Sequence, residues 1–312
     1  MDKKYAAKIP CLDLKQQHQK IKSEIFEIFE KVYDETAFSG GKYVEIFENQ
    51  FADFIGGTYA IGVSNGTTAL HLAMLALGIG HGDEVILPAN TFIATAWGVT
   101  HAGATPVFVD CDENNWQISP QAVEKAITKK TKAIIGVHLY GQVFDIDAIE
   151  NICKKYHLFL IEDTAQAHGA KYKNKTVGTF GQMGCFSFYP GKNLGACGEA
   201  GGIITNIEAY KKKLHSLRNH GSIQRYFHDE IGYNYRMGGL EAASLSVKLK
   251  YLEQWNNRRR EIAFRYQTEI NNTKIKFQKS IDNSFGVYHL SVVISENKNN
   301  LVSHLEANGI AP

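Results

Sequence analysis

The chain has 312 residues and a formal charge of +2, from 34 Lys and Arg against 32 Asp and Glu. So balanced a composition offers no field for gripping nucleic acid or an anionic membrane surface. Hydrophobic residues at 44% and charged residues at 21% exclude bulk disorder, and the length suits two domains or one large α/β unit with an appendage.

From the N-terminus, Leu14 to Tyr33 reads as an amphipathic helix, with Ile21, Ile25, Ile28, Phe29 and Val32 near a 3.6-residue period. Beyond Ser39-Gly40-Gly41 a second helical stretch carries Val44, Phe47, Phe51 and Phe54. Helix and strand then alternate: a helix over Ala69–Leu77, a strand over Glu84–Pro88, a helix over Ile93–His101 and a strand over Pro106–Asp110. Ser119-Pro120 opens a helix with an N-cap and an N1 proline. A strand over Lys132–Leu139, a helix over Ile146–Tyr156 and a strand over Leu158–Asp163 follow. These strands are short apolar runs without alternation, as strands covered on both faces are. The pattern predicts a mostly parallel, doubly wound sheet. Gly184–Tyr189 and Gly201–Thr205 add two strands with no helix between them, and a long helical region runs from Gly239 to about Ile270.

The five cysteines, an odd number with no CxxC pair, argue against a disulfide framework or a zinc knuckle, and no metal site is expected. The start carries no apolar leader, and no apolar run approaches the roughly 18–20 residues of a membrane helix. A soluble, cytoplasmic protein is expected.

A dinucleotide fold is the first reading to test. The only glycine-dense segment, Gly78-Ile79-Gly80-His81-Gly82, has the wrong spacing for GxGxxG and precedes a strand, and no GxxxxGK[ST] occurs. Ser64-Asn65-Gly66-Thr67-Thr68, directly before a helix, suits a phosphate held by free backbone N–H groups, or a simple N-cap. Glu162-Asp163 ends an apolar strand, where ligands bind in open α/β sheets, or it caps the next turn. Lys192, within Phe186-Ser187-Phe188-Tyr189-Pro190-Gly191-Lys192-Asn193-Leu194-Gly195, is either a surface lysine or a desolvated amine with a lowered pKa, free to attack a carbonyl. In this order a phosphate cup, an aromatic after a strand, a strand-end Asp and a lysine in an apolar turn are what pyridoxal phosphate requires.

Together with Gly80–Ile86, Thr91-Phe92, Ile161–Gln166 and Gly232–Met237, these segments closely resemble the nucleotide-sugar aminotransferases of the DegT/DnrJ/EryC1/StrS family, from about Ile9 onward. The resemblance implies the aspartate-aminotransferase type of α/β fold (fold type I). Its large PLP-binding domain would occupy residues 1–245, with a mostly parallel mixed sheet between helices. A smaller α+β C-terminal domain would start at 246 and be incomplete at 312, since relatives continue for several tens of residues. It implies pyridoxal 5'-phosphate as cofactor and a homodimer with shared active sites. Lys192 would form the Schiff base and shuttle protons, and Asp163 would pair with the pyridine nitrogen. Gln166 would lie near the phenolic oxygen and Phe92 would stack on the ring. Gly66, Thr67, Thr68 and Ser187 would hold the phosphate, with Asn234 reaching over from the other subunit. His168 and His220 are candidate substrate residues, although a histidine at the depth of His168 is more often a structural hydrogen-bonding residue.

The implied reaction moves an amino group from L-glutamate to a nucleotide-linked keto-sugar. Val137–Gln142, Ala165–Ala170 and Ser187–Gly195 look like the branch that acts on dTDP-3-keto-6-deoxyhexoses and makes 3-amino-3,6-dideoxy sugars. UDP- or dTDP-linked 4-keto substrates and a non-catalytic binding protein on the same fold are the alternatives. A dehydratase of related type would carry His where Lys192 stands, and a desulfurase would need a mobile cysteine loop.

Overall fold

The computed structural model describes residues 9–224 and 226–312. The N-terminal amphipathic stretch forms two helices, α1 (Lys15–Lys20) and α2 (Lys22–Asp34), rather than one. The break lies at Ile21, whose φ of −114° and ψ of 9° leave helical space. The hydrophobic period persists across it because Ile21 and Ile25 both pack against Val247. Helix α3 (Lys42–Ile55) starts directly after Gly40 and Gly41, both at positive φ, and ends on Gly56 in the left-handed conformation that closes helices.

The alternation then runs β1 (Tyr59–Val63), α4 (Gly66–Ala76), β2 (Glu84–Pro88), α5 (Ala94–His101), β3 (Thr105–Val109), α6 (Pro120–Ala126), β4 (Thr131–Val137), α7 (Ile146–Tyr156) and β5 (Phe159–Asp163). Two short strands, β6 (Lys171–Tyr172) and β7 (Lys175–Thr176), precede β8 (Met183–Ser187), β9 (Gly201–Thr205) and α8 (Glu208–Arg218). The main sheet has seven strands in the order β1-β9-β8-β5-β4-β2-β3. Strands β3, β2, β4, β5 and β8 are parallel neighbours, and β9 runs antiparallel to both β8 and β1. The reversal follows from connectivity: a parallel neighbour needs a crossover, and no helix separates β8 from β9. The expected mostly parallel sheet between helices is the observed one.

Strand alternation divides the core. Val85 and Leu87 face α4, α5 and α8, whereas Ile86 and Ile134 face α6 and α7. A third cluster packs α3 against Phe186 and Phe188 and against α9 (Gly239–Leu249). The long C-terminal helical region is also two helices, α9 and α10 (Leu252–Glu269), separated at Lys250–Tyr251. Residue 245 lies within α9, and Leu245 and Leu249 both pack in the core with α3. Beyond α10 come β10 (Ile275–Phe277), β11 (Ser284–Phe285), β12 (Val293–Ser295) and α11 (Lys298–Ala307). Among the described residues no helix is long and apolar enough to cross a membrane.

Candidate active site

The two carboxylates ending β5 separate because successive strand residues face opposite ways. Glu162 is fully buried and accepts hydrogen bonds from the backbone N–H groups of Gly178 (2.7 Å), Phe180 (2.7 Å) and Gly181 (2.8 Å). His138 Nε2 lies 3.0 Å from its second oxygen. Glu162 is therefore committed to holding the 178–181 loop. Asp163 faces a cavity of about 780 Å³ at the carboxyl ends of the strands. Its Oδ2 accepts from Thr95 Oγ1 at 2.8 Å and its Oδ1 from the Ala165 N–H at 3.1 Å. Since Thr95 donates to Asp163, its 2.7 Å contact with Thr91 must be a bond donated by the Thr91 hydroxyl. Burial pushes the Asp163 pKa above the ordinary carboxylate range, against the opposing pull of Thr95, Ala165 and the Lys192 ammonium.

At the start of α4 the N-cap reading is realised, by Asn65 and Thr68, while Gly66 and Thr67 face the cavity. Asn65 caps the helix: its side chain accepts from the Thr68 N–H at 2.9 Å while Thr68 Oγ1 accepts from the Asn65 N–H at 3.1 Å. The Thr68 hydroxyl also donates to the Asn65 carbonyl at 2.8 Å, so it serves the cap, and Thr68 does not line the cavity. Gly66 and Thr67 do line it, with first-turn N–H groups that helix geometry leaves without intrahelical partners. Gly66 permits a close approach: a Cβ there would stand 2.6 Å from the Ser187 Cβ.

Lys192 sits on the turn between β8 and β9, where its N–H donates to the Tyr189 carbonyl at 2.8 Å. Burial lowers its pKa, and the Asp163 carboxylate opposes this only in part. Beneath the turn, fully buried His168 packs 5.6 Å from the rings of both Phe186 and Phe188. Neither of its ring nitrogens has a hydrogen-bond partner. Burial and the Lys192 charge push its pKa down to about 3, so it is neutral. The Ser187 main chain favours the imidazolium only weakly, without the alignment of a hydrogen bond.

The cavity thus brings together Gly66, Thr67, Phe92, Asp163, Gln166, Ser187 and Lys192. The Tyr140 N–H donates to Gln166 Oε1 at 2.6 Å, which leaves the Gln166 Nε2 amide as a donor. His168 is not part of the lining, and neither are His220 and Asn234. These last two lie on the segment following α8, where the His220 N–H donates to the Tyr233 carbonyl at 2.9 Å and Asn219 bridges to Asn234. Both are exposed.

A family model described as the DegT/DnrJ/EryC1/StrS aminotransferase family matches residues 19–312. The chain belongs to that family. It is 47% identical over 285 residues to the dTDP-3-amino-3,6-dideoxy-alpha-D-galactopyranose transaminase of Aneurinibacillus thermoaerophilus, covering 91% of this chain and 78% of that protein. It is 44% identical over 272 residues to the GDP-perosamine synthase of Escherichia coli O157:H7, covering 86% and 74%. The solved structure of DesV from S. venezuelae with a ketimine intermediate superposes with a TM-score of 0.96 at 39% identity, over 98% of this chain and 82% of that one. NtdA from Bacillus subtilis with bound PMP gives 0.91 at 31%, over 100% and 73%.

The chain is a pyridoxal-phosphate-dependent aminotransferase, and its DegT-family residues fit that cofactor. First-turn N–H groups at Gly66 and Thr67, suited to a phosphate, line the same cavity as a protonatable buried carboxylate and a desolvated amine. Gly66→Val is expected to overpack the close approach of Gly66 to Ser187, costing about 1–3 kcal/mol in apo stability by thermal melting. Cofactor affinity is expected to fall at least about tenfold in an equilibrium absorbance titration, because a displaced first turn misaims its N–H donors.

Two cavity residues carried no sequence signal. His289 and Arg259 approach from the C-terminal elements, almost a hundred and more than sixty residues beyond Lys192. The tautomer of His289 follows from its neighbour. Asn193 Nδ2 donates to Asn256 Oδ1 (2.9 Å) and to the Val287 carbonyl (3.0 Å), so Asn193 Oδ1 accepts from His289 Nδ1 at 3.2 Å. Nε2 of His289 is left as the unprotonated nitrogen. Burial, Lys192 and Arg259 push its pKa down to about 3.

Proposed function

We propose that this aminotransferase transfers the amino group of L-glutamate to the 3-keto group of a dTDP-linked 6-deoxyhexose, giving a 3-amino-3,6-dideoxyhexose. The observation that carries the reading is the meeting of Lys192 and Asp163 in one strand-end cavity, in a chain 47% identical to a transaminase named for such a sugar.

Bound pyridoxal phosphate supplies a carbonyl carbon and a ring that accepts the electron pair left at the substrate carbon. Burial lowers the Lys192 pKa and so favours the neutral amine, whose lone pair would bond that carbonyl with loss of water and would carry a proton between the substrate carbon and C4′ of the cofactor. Asp163 holds a proton at the ring nitrogen. Gln166 offers Nε2 to the phenolic oxygen, Phe92 covers the ring face, and Gly66, Thr67 and Ser187 bind the phosphate. Asn234 is exposed and outside its own cavity, which suits a residue that completes the phosphate site of a second subunit in a cytoplasmic homodimer.

The test is the absorbance spectrum of the cofactor-loaded protein. L-glutamate should bleach the visible band, and dTDP-3-keto-6-deoxyglucose should restore it with formation of an amino sugar. Restoration by a UDP- or GDP-linked 4-keto sugar alone would move the assignment to that substrate class. A folded dimer that takes up the cofactor but never bleaches would overturn the aminotransferase reaction in favour of a binding role.

A further inference from the structure

The segment between α8 and α9 that carries Asn234 is tied by backbone hydrogen bonds on two sides. The Tyr233 and Tyr235 N–H groups donate to the Leu217 (2.7 Å) and Arg218 (3.0 Å) carbonyls at the end of α8. From the other side the Ser64 N–H, two residues before Gly66, donates to the Tyr235 carbonyl at 2.9 Å, and Val63 bridges to Arg236. Side chains alternate along such a bridged stretch. Tyr233 and Tyr235 stack on each other with ring centres 4.9 Å apart, and Asn234 between them is exposed.

His71 lies against both tyrosines. It sits in the second turn of α4, the helix whose first turn carries Gly66 and Thr67. Its ring meets Tyr233 edge-on at 5.0 Å and Tyr235 at 6.0 Å, and its Nδ1 is 3.4 Å from the Tyr235 hydroxyl. His71 is 4% exposed, and among the described residues its Nε2 has no hydrogen-bond partner. Burial and the neighbouring His101 lower its pKa, so the ring is neutral. An unpartnered nitrogen in the core is costly, and an aliphatic side chain would avoid that cost. What the imidazole adds is an edge contact for each tyrosine and a polar partner for one hydroxyl.

We propose that His71 is a positioning residue, which braces Tyr233 and Tyr235 and so aims Asn234 at the cofactor phosphate of the second subunit. The proposal rests on the homodimer reading of Asn234. His71 does not line the cavity of Lys192 and acts only through this segment. One helix then serves two sites: the first turn of α4 binds this chain's phosphate, and the second turn holds the residue that completes the neighbouring one.

The experiment uses mixed dimers, isolated through two different tags, in which one chain carries Lys192→Ala. The visible band that L-glutamate bleaches then reports only the site that keeps Lys192, and that site takes its Asn234 from the Lys192→Ala chain. Pyridoxal phosphate is titrated against this band. Asn234→Ala on the Lys192→Ala chain should weaken binding roughly 10- to 100-fold, as loss of a hydrogen bond to a charged group predicts, and far more than the same change on the other chain. His71→Ala on the Lys192→Ala chain should weaken it roughly three- to tenfold, and less on the chain that keeps Lys192. Added to Asn234→Ala in the same chain it should cost nothing further, because both changes act through one bond. Tyr233→Leu, which alters the same brace, should repeat the pattern and replaces His71→Ala if that chain does not form dimers. Equal losses in both arrangements, a larger loss on the chain that keeps Lys192, or full additivity with Asn234→Ala would make His71 a packing residue of α4 and overturn the proposal. An Asn234→Ala effect confined to the chain that keeps Lys192, or absent from both, would overturn it from the other end, by removing the crossing of Asn234.

Discussion

Lys192→Ala is expected to leave a folded protein that no longer bleaches with L-glutamate, with turnover lower by roughly 10³-fold or more, the scale of a positioned general acid–base group. The reason lies in where the amine sits. On the turn between β8 and β9 it is half-buried, and that burial, only partly opposed by Asp163, lowers its pKa. The rate in wild type should therefore rise with pH as Nζ loses its proton. Stability has the same sign. The unfolded chain binds this proton more tightly than the folded one, so apo stability rises with pH between the folded and unfolded pKa values. The Ala variant removes a desolvated ammonium. Its melting temperature should equal or exceed that of wild type, with the gain largest below the folded pKa and vanishing in alkali. Small exogenous amines should restore part of the single-turnover rate, more so for more basic amines. Full activity in the variant would remove the lysine from the chemistry.

What could be read from the sequence was whatever a few neighbouring residues determine. Strands such as Glu84–Pro88 and the break at Gly40-Gly41 are local matters of apolar runs and positive φ, and they stand as expected. The helix break at Ile21 was not readable, because the apolar face that packs on Val247 continues through it. Glu162-Asp163 showed a carboxylate at a strand end without saying which one. The choice depends on the 178–181 loop, which turns three N–H groups toward Glu162 and leaves Asp163 to the cavity. Thr68 looked like a phosphate ligand because a capping box and a phosphate cup use the same residue types. Thr95 had a faint signal, a hydroxyl four residues after Thr91 on a helix that faces the strand ends. Arg259 and His289 had none. They reach the site only because α10 and the turn beyond Phe285 fold back over it, and no short-range pattern encodes that return.

Asp163→Asn is expected to lower turnover by roughly 10²–10³-fold, the cost of losing one preorganised electrostatic partner in a dry site, while the protein remains folded. Asn fills nearly the same volume and can still accept from the Ala165 N–H, and the Thr95 hydroxyl can rotate away from the new amide. Lost is the negative charge that keeps a proton on the ring nitrogen of the cofactor. Without it the electron pair released at the substrate carbon has a poorer sink. The apo protein should respond in the opposite direction. Burial raises the folded pKa of Asp163, so the folded state holds its proton more tightly than the unfolded chain, and stability falls as pH climbs from the unfolded to the folded value. Above the folded pKa the full penalty of a buried carboxylate is present, and the Asn variant escapes it. Melting of apo Asp163→Asn should therefore occur above wild type at pH 8, with the difference closing near pH 4. Thr95→Val, which removes a donor to the same carboxylate, should show a smaller rate loss and a lower apo melting temperature at pH 8. An Asn variant that is less stable at every pH, yet fully active, would make Asp163 a structural carboxylate like Glu162.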